Sequence, residues 1–153
     1  MRTLTITLTL IIIQAFVVYG QENPALKKTF DLIFSKEEYR KALTILNEFI
    51  YKDTTNSDAY WQRAICFRRM GNYDKAENDL KHAIRLNNND AKIFCELGTM
   101  YAMTERYTQA LESYNKSVSI DSTYAPAYNS RGALNYYFMN NSEKALDLSL
   151  IHI

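Results

Sequence analysis

The sequence predicts an all-α fold of stacked helix hairpins, and two observations carry that expectation. The first is a period of 34 residues: Tyr39, Tyr73 and Tyr107 keep it, as do Ala42, Ala76 and Ala110. Tyr60, Phe94 and Tyr128 keep it too, and so do Ala64, Gly98 and Gly132. A fixed period of this size marks supersecondary units that stack on one another rather than a single globular core. The second is a scarcity of chain breakers, with 4 Gly and 2 Pro in 153 residues, which suits helices and not a turn-rich β fold. A repeat scaffold works by binding another chain.

Residues 1–20 stand apart from the repeat. Met1 and Arg2 make a minimal basic start, and Leu4 to Val18 is an apolar run of signal-peptide length. Val18-Tyr19-Gly20 presents small residues at the two positions a signal peptidase reads. The run is short beside the roughly 20 apolar residues of a membrane span. The expectation is a cleaved export signal and a periplasmic or extracellular location. An uncleaved anchor is the alternative, and the only route to a membrane partner. Thr3 to Leu10 alternates like a strand, but the pattern runs on into unbroken Leu10-Ile11-Ile12-Ile13.

The repeat region divides as 21–56, 57–90, 91–124 and 125–153. In 57–90, Tyr60, Ala64, Phe67, Gly71, Tyr73, Ala76, Leu80 and Ala83 follow one pattern. In 91–124, Phe94, Leu97, Gly98, Tyr101, Tyr107, Ala110, Tyr114 and Ser117 follow it again. This pattern resembles the tetratricopeptide repeat family, and the resemblance implies a right-handed solenoid of antiparallel helix pairs. Ala64, Gly98 and Gly132 then fall where the two helices of a pair approach most closely, facing Ala76 and Ala110. Larger groups there would overpack the pair at about 1–3 kcal/mol. Phe67, Tyr73, Leu80, Tyr101, Tyr107 and Tyr114 are expected to fill the layers between pairs.

Local signals set the helix ends. Asn72 and Asp90 sit at N-cap positions, and Met70-Gly71-Asn72 reads as a tight turn with a left-handed Gly. In 21–56 the second helix opens with the capping pattern Ser35-Lys36-Glu37-Glu38. Phe30 stands where the family has a small residue, so this unit reads as a diverged first repeat. The last unit opens with Pro126 in its first turn and carries Tyr128, Gly132 and Tyr136. Ala145 lies 35 residues after Ala110, so an extra residue is expected in a turn near Asn140-Asn141. The apolar tail Leu148 to Ile153 resembles read-through of a sequencing adapter. A fragment of a longer repeat protein is therefore expected.

No catalytic constellation is present in the sequence. His82 is expected on a solvated helix face, and His152 lies in the tail. Cys66 and Cys95 read as two buried thiols, with a disulfide as the alternative in an exported chain. Two Cys without a His pair make no zinc site. The 4 Gly form no phosphate loop. Asp74, Glu77 and Asp79 are expected to solvate helix surfaces. Asn115-Lys116-Ser117 and Asn140-Asn141-Ser142 are glycosylation sequons. No cofactor is expected. The 18 Lys+Arg against 17 Asp+Glu offer no broad attraction for nucleic acid.

The resemblance implies that first helices line a concave groove that takes a protein or peptide. Trp61, Ile65, Arg68 and Arg69 are its expected lining in the second unit. Lys92, Cys95, Thr99 and Met103 follow in the third, and Asn129, Ala133, Tyr136 and Tyr137 in the fourth. Trp61 is the only Trp; either it is an exposed contact residue or it packs on the diverged first unit. Arg68, Arg69 and Lys92 are candidates to receive an acidic segment or terminal carboxylate. Lys27 matches one Lys of the set with which chaperone-binding relatives clamp a terminal carboxylate, but Asp31 replaces an Asn of that set. Chaperone-tail binding is accordingly not expected. The alternative role is an N-terminal sensory or docking part of a larger enzyme or signalling protein.

Overall fold

A computed structural model describes residues 23–34 and 38–150, with backbone alone after 137. Among the described residues every regular element is a helix. They are α1 (Pro24–Phe34), α2 (Tyr39–Lys52), α3 (Ser57–Arg69), α4 (Tyr73–Leu86), α5 (Ala91–Met103), α6 (Tyr107–Ile120) and α7 (Ala125–Leu150). The chain is an all-α solenoid of paired helices, α1–α2, α3–α4 and α5–α6, followed by α7.

First helices start on side-chain caps. The Asn23, Asn56 and Asp90 side chains accept from Ala25 N, Ala59 N and Lys92 N at 3.0, 3.0 and 2.9 Å. Second helices start differently. Asn72 makes no side-chain cap hydrogen bond, contrary to expectation, because the turn before it already places its backbone. Asn72 N donates to Phe67 O at 2.8 Å and Gly71 N to Arg68 O at 2.9 Å, around Gly71 at φ 77°. The next pair repeats this turn with Glu105 at φ 61° in the glycine's place. Of the capping pattern at 35–38, only Glu38 lies within the described residues, and it makes no side-chain cap hydrogen bond.

Second helices also end alike. Asp53, Asn87 and Asp121, spaced by one period, accept on their side chains from the backbone N–H two residues on, at 2.9, 3.1 and 2.8 Å. This Asx turn hands each pair to the next.

The core runs along the stack. Ala42, Leu46, Ala64, Ala76, Leu80, Met100 and Ala110 are completely buried. Each helix packs on its chain neighbours. First helices also pack on one another, α1 on α3, α3 on α5 and α5 on α7, whereas α2, α4 and α6 do not reach one another. A stack that is tight on one side and splayed on the other curves toward the tight side. The first helices therefore line the concave face.

The last unit departs from expectation. Ala125–Leu150 is one helix of 26 residues that passes straight through Asn140-Asn141. Neither Gly nor Pro stands there to break it, and Asn alone does not end a helix.

The concave face as a candidate binding groove

Trp61 is 7% exposed. It packs on the first pair, stacking with Phe34 at 6.4 Å between ring centroids, so the second of its two expected placements holds. Lys92 Nζ lies 4.8 Å over the indole ring. The indole Nε1 is buried and has no hydrogen-bond partner among the described residues, which costs about 1–3 kcal/mol.

Two other expected contact residues are corrected in the same way. Ile65 is 1% exposed and belongs to the core. Arg68 is 9% exposed, and its guanidinium pairs with Glu96 and touches Met103 Sδ at 3.4 Å. Both sit where α3 is covered by its neighbouring first helices, so the positions that face the groove in a lone hairpin are closed in the stack. Cys95 is buried. Thr99 is half-buried and engaged: it donates to Cys95 O at 3.0 Å and accepts from Tyr114 Oη at 3.3 Å.

Arg69, Met103, Asn129, Ala133, Tyr136 and Tyr137 are exposed. Met103, Tyr136 and Tyr137 are 50, 69 and 50% exposed, and Tyr137 leans on Tyr107 with ring centroids 5.8 Å apart. Lys92 is half-buried and paired with Asp58 at 3.1 Å and Asp90 at 3.6 Å.

Between α1, α3 and α5 lies a cleft of ≈ 390 Å³. Its walls include Leu26, Lys27, Phe30, Asp31, Trp61 and Lys92. Phe30 occupies the position that Ala64 takes in the next pair. Too large for a close helix approach, it is 43% exposed, leans on Phe34 at 4.3 Å and lines the cleft. Thr29 beside it is buried, with its hydroxyl within hydrogen-bond distance of both Leu26 O and the Gln62 side chain, the latter contact tying α1 to α3. A wider hollow of ≈ 600 Å³ lies beside Tyr39, Lys41 and Met70, at the turn end of the pairs.

The other titratable groups build the scaffold. Asp79 and Glu77 are not merely solvating. Asp79 is 7% exposed and takes two bonds from Arg63, at 2.7 and 2.8 Å. Burial pushes the Glu77 carboxyl up, but hydrogen bonds from Arg106 and Lys81 overrule it and hold it at about 2. The Arg106 bond ties α4 to the turn before α6, and the Lys81 bond lies within α4. His82 is half-buried, tilted against Tyr60 at 4.2 Å and 3.0 Å from Arg85 Nη2. Burial pushes the Cys66 thiol up to about 12, and burial with the Glu96 charge pushes Cys95 up to about 11. Both are free, buried and poor nucleophiles. Among the described residues no cluster of His, Cys, Asp or Glu is set to hold a metal ion, and no helix is long and apolar enough to cross a membrane.

The family model for the tetratricopeptide repeat matches residues 59–123. Residues 59–123 are tetratricopeptide repeats. A probable UDP-N-acetylglucosamine–peptide N-acetylglucosaminyltransferase, SPINDLY, from Arabidopsis thaliana is 26% identical over 97 residues, which are 63% of this chain and 11% of the relative. Among solved structures, MamA superposes with a TM-score of 0.66 at 25% identity, over 87% of this chain and 78% of MamA. The first tetratricopeptide repeat domain of Spaghetti, bound to the HSP90 peptide SRMEEVD, superposes at 0.68 and 18% identity, over 75% and 90%. The chain spans 11 to 29% of the first three curated relatives it matches. Within the family pattern, sequence reasoning found the concave helices. It missed the Asx turns at 53, 87 and 121, whose signal was an Asp or Asn at the same 34-residue period.

Proposed function

We propose that this chain is a non-catalytic scaffold that binds a protein or peptide segment along its concave face. The observation that carries this reading is the exposure of Met103, Tyr136 and Tyr137 on the first helices of the last two units, together with the cleft at Trp61 between the first helices of the other units. Exposed aromatic and Met side chains on a rigid concave surface are the anchors that peptide recognition uses. The superposed Spaghetti domain holds an HSP90 peptide, which supports a peptide as the ligand class. Export forms part of this proposal and rests on the apolar run Leu4 to Val18.

A second reading is a docking part of a larger enzyme. It is favoured by the Arabidopsis relative, of which the chain matches 11%.

The test is selection of binders from a displayed peptide library on the folded chain. Replacing both Met103 and Tyr136 by Ala is expected to weaken the best binder about tenfold or more at unchanged helicity. Equal binding by the double variant would sink the groove reading.

A further inference from the structure

The last unit carries an open face and, on the same helix, the segment that fits it. In the two middle pairs the first helix meets its second helix along one row of residues. Tyr60 tilts against His82 of α4 at 4.2 Å, and Lys116 of α6 lies 6.0 Å over the Phe94 ring. A Cβ at Gly98 would strike Tyr114 of α6. The same row on α7 has no second helix against it. Tyr128 is 40% exposed, with Arg131 of its own helix 5.1 Å over the ring. A Cβ at Gly132 would meet nothing within 4 Å among the described residues.

The sequence pattern of a second helix is nevertheless present. Lys144-Ala145-Leu146 repeats Lys41-Ala42-Leu43 of α2 and Gln109-Ala110-Leu111 of α6. Its central Ala holds the place of Ala110, which stands against Gly98. In the structure this segment is the straight continuation of α7. The 13 residues from 132 to 145 put the two positions about 20 Å apart along the axis. The segment therefore cannot lie on its own first half while the helix is unbroken. An open face and its matching helix, held apart on one rigid element, are complementary between two copies.

We propose that two copies of this chain exchange the second halves of α7, so that residues 142–150 of each copy pack as the absent second helix against Tyr128 and Gly132 of the other. Each copy gives and receives the same segment, so the assembly closes at two. The exchange continues the interface already built within α3–α4 and α5–α6. The straight passage through Asn140-Asn141 selects exchange over folding back, because no Gly or Pro stands there to turn the chain. The exchanged segment takes the outer, second-helix side of the stack, so the proposal is independent of the peptide-binding reading.

The test is disulfide trapping in the full chain. Gly132→Cys and Ala145→Cys are made in separate, differently tagged chains, co-expressed and oxidised. Ala64 already carries a Cβ at the matching position of an intact pair, and Cys66 and Cys95 are buried away from the added thiols. We expect a covalent dimer joining the two tags, at least about tenfold above either variant alone, since Cα atoms beyond about 7 Å cannot be bridged. By light scattering the unaltered chain is expected at twice the mass of one copy. Asn141→Pro, which breaks the helix between the halves, is expected at the mass of one. A chain carrying both cysteines that closes its bridge within one copy would overturn the proposal, because the segment then folds back on its own helix. A monomer at every concentration would overturn it and leave the face to a different protein. So would a dimer that leaves 132 and 145 unlinked, or one that survives Asn141→Pro.

Discussion

Gly98 and Gly132 occupy the same repeat position in α5 and α7, yet their surroundings are opposite. A Cβ added at Gly98 would lie 2.6 Å from Tyr114 Cε1 and 3.1 Å from Ala110 O, whereas one at Gly132 would meet nothing within 4 Å. The aromatics one turn earlier differ in the same sense: Phe94, before Gly98, is half-buried, and Tyr128, before Gly132, is 40% exposed. Repeat position sets which way a residue points, and the helix laid against it sets what the residue does. The middle pairs have both helices in place. At α7 the chain runs on as one helix, and its first half keeps an open face.

The largest effect that sharpens this comparison lies in the core. Ile65→Ala empties a site that is 1% exposed and should cost about 2–5 kcal/mol by chemical denaturation. Met103→Ala, at a half-exposed position of the next first helix, should stay within about 0.5 kcal/mol. Equal losses would mean that the two positions do not differ in packing.

Next comes the glycine pair itself. Gly98→Ala should lose about 1–3 kcal/mol, because Tyr114 is buried and the Ala110 carbonyl is backbone. Gly132→Ala should gain about 0.5–1 kcal/mol from helix propensity alone. Thermal midpoints moving in the same direction for both would break the comparison.

These outcomes also measure how much was legible in the sequence. The hairpin period, the close-approach residues and the concave helices could be read because each recurs by position. The state of the groove could not. Ile65, Arg68 and Trp61 carry the right address for a contact residue, but α1 and α5 close over them, and closure depends on neighbours half a repeat or more away. The turn expected at Asn140-Asn141 failed for a different reason: it was inferred from the spacing of Ala145, with no residue there that stops a helix. Phe30 signalled a departure in its unit, and the structure gives it a place in the cleft wall.

A smaller effect concerns pH. The folded Glu77 carboxyl, held at about 2, lies below its ordinary value, so its contribution is complete above pH 4.5 and is lost as pH falls from there toward 2. Solvent screening keeps this to about 1 kcal/mol. Glu77→Gln should flatten the stability profile over that window, and an unchanged slope would remove Glu77 from the account.

The smallest effects lie in the two turns. Gly71→Ala forces a Cβ into a φ of 77° and should cost about 1 kcal/mol. Glu105→Gly relieves a φ of 61° and should gain up to about 1 kcal/mol. Denaturation midpoints that shift in the reverse sense would show that these turns are held by something other than the left-handed residue.

The most direct test of the central claim, that the tightly stacked first helices form the binding face, is a nitrogen–proton correlation titration of the folded chain with a library-selected peptide. The account predicts perturbed resonances on α1, α3, α5 and the first half of α7, with α2, α4 and α6 silent along their outer faces. Perturbations confined to the outer faces of α2, α4 and α6 would contradict it.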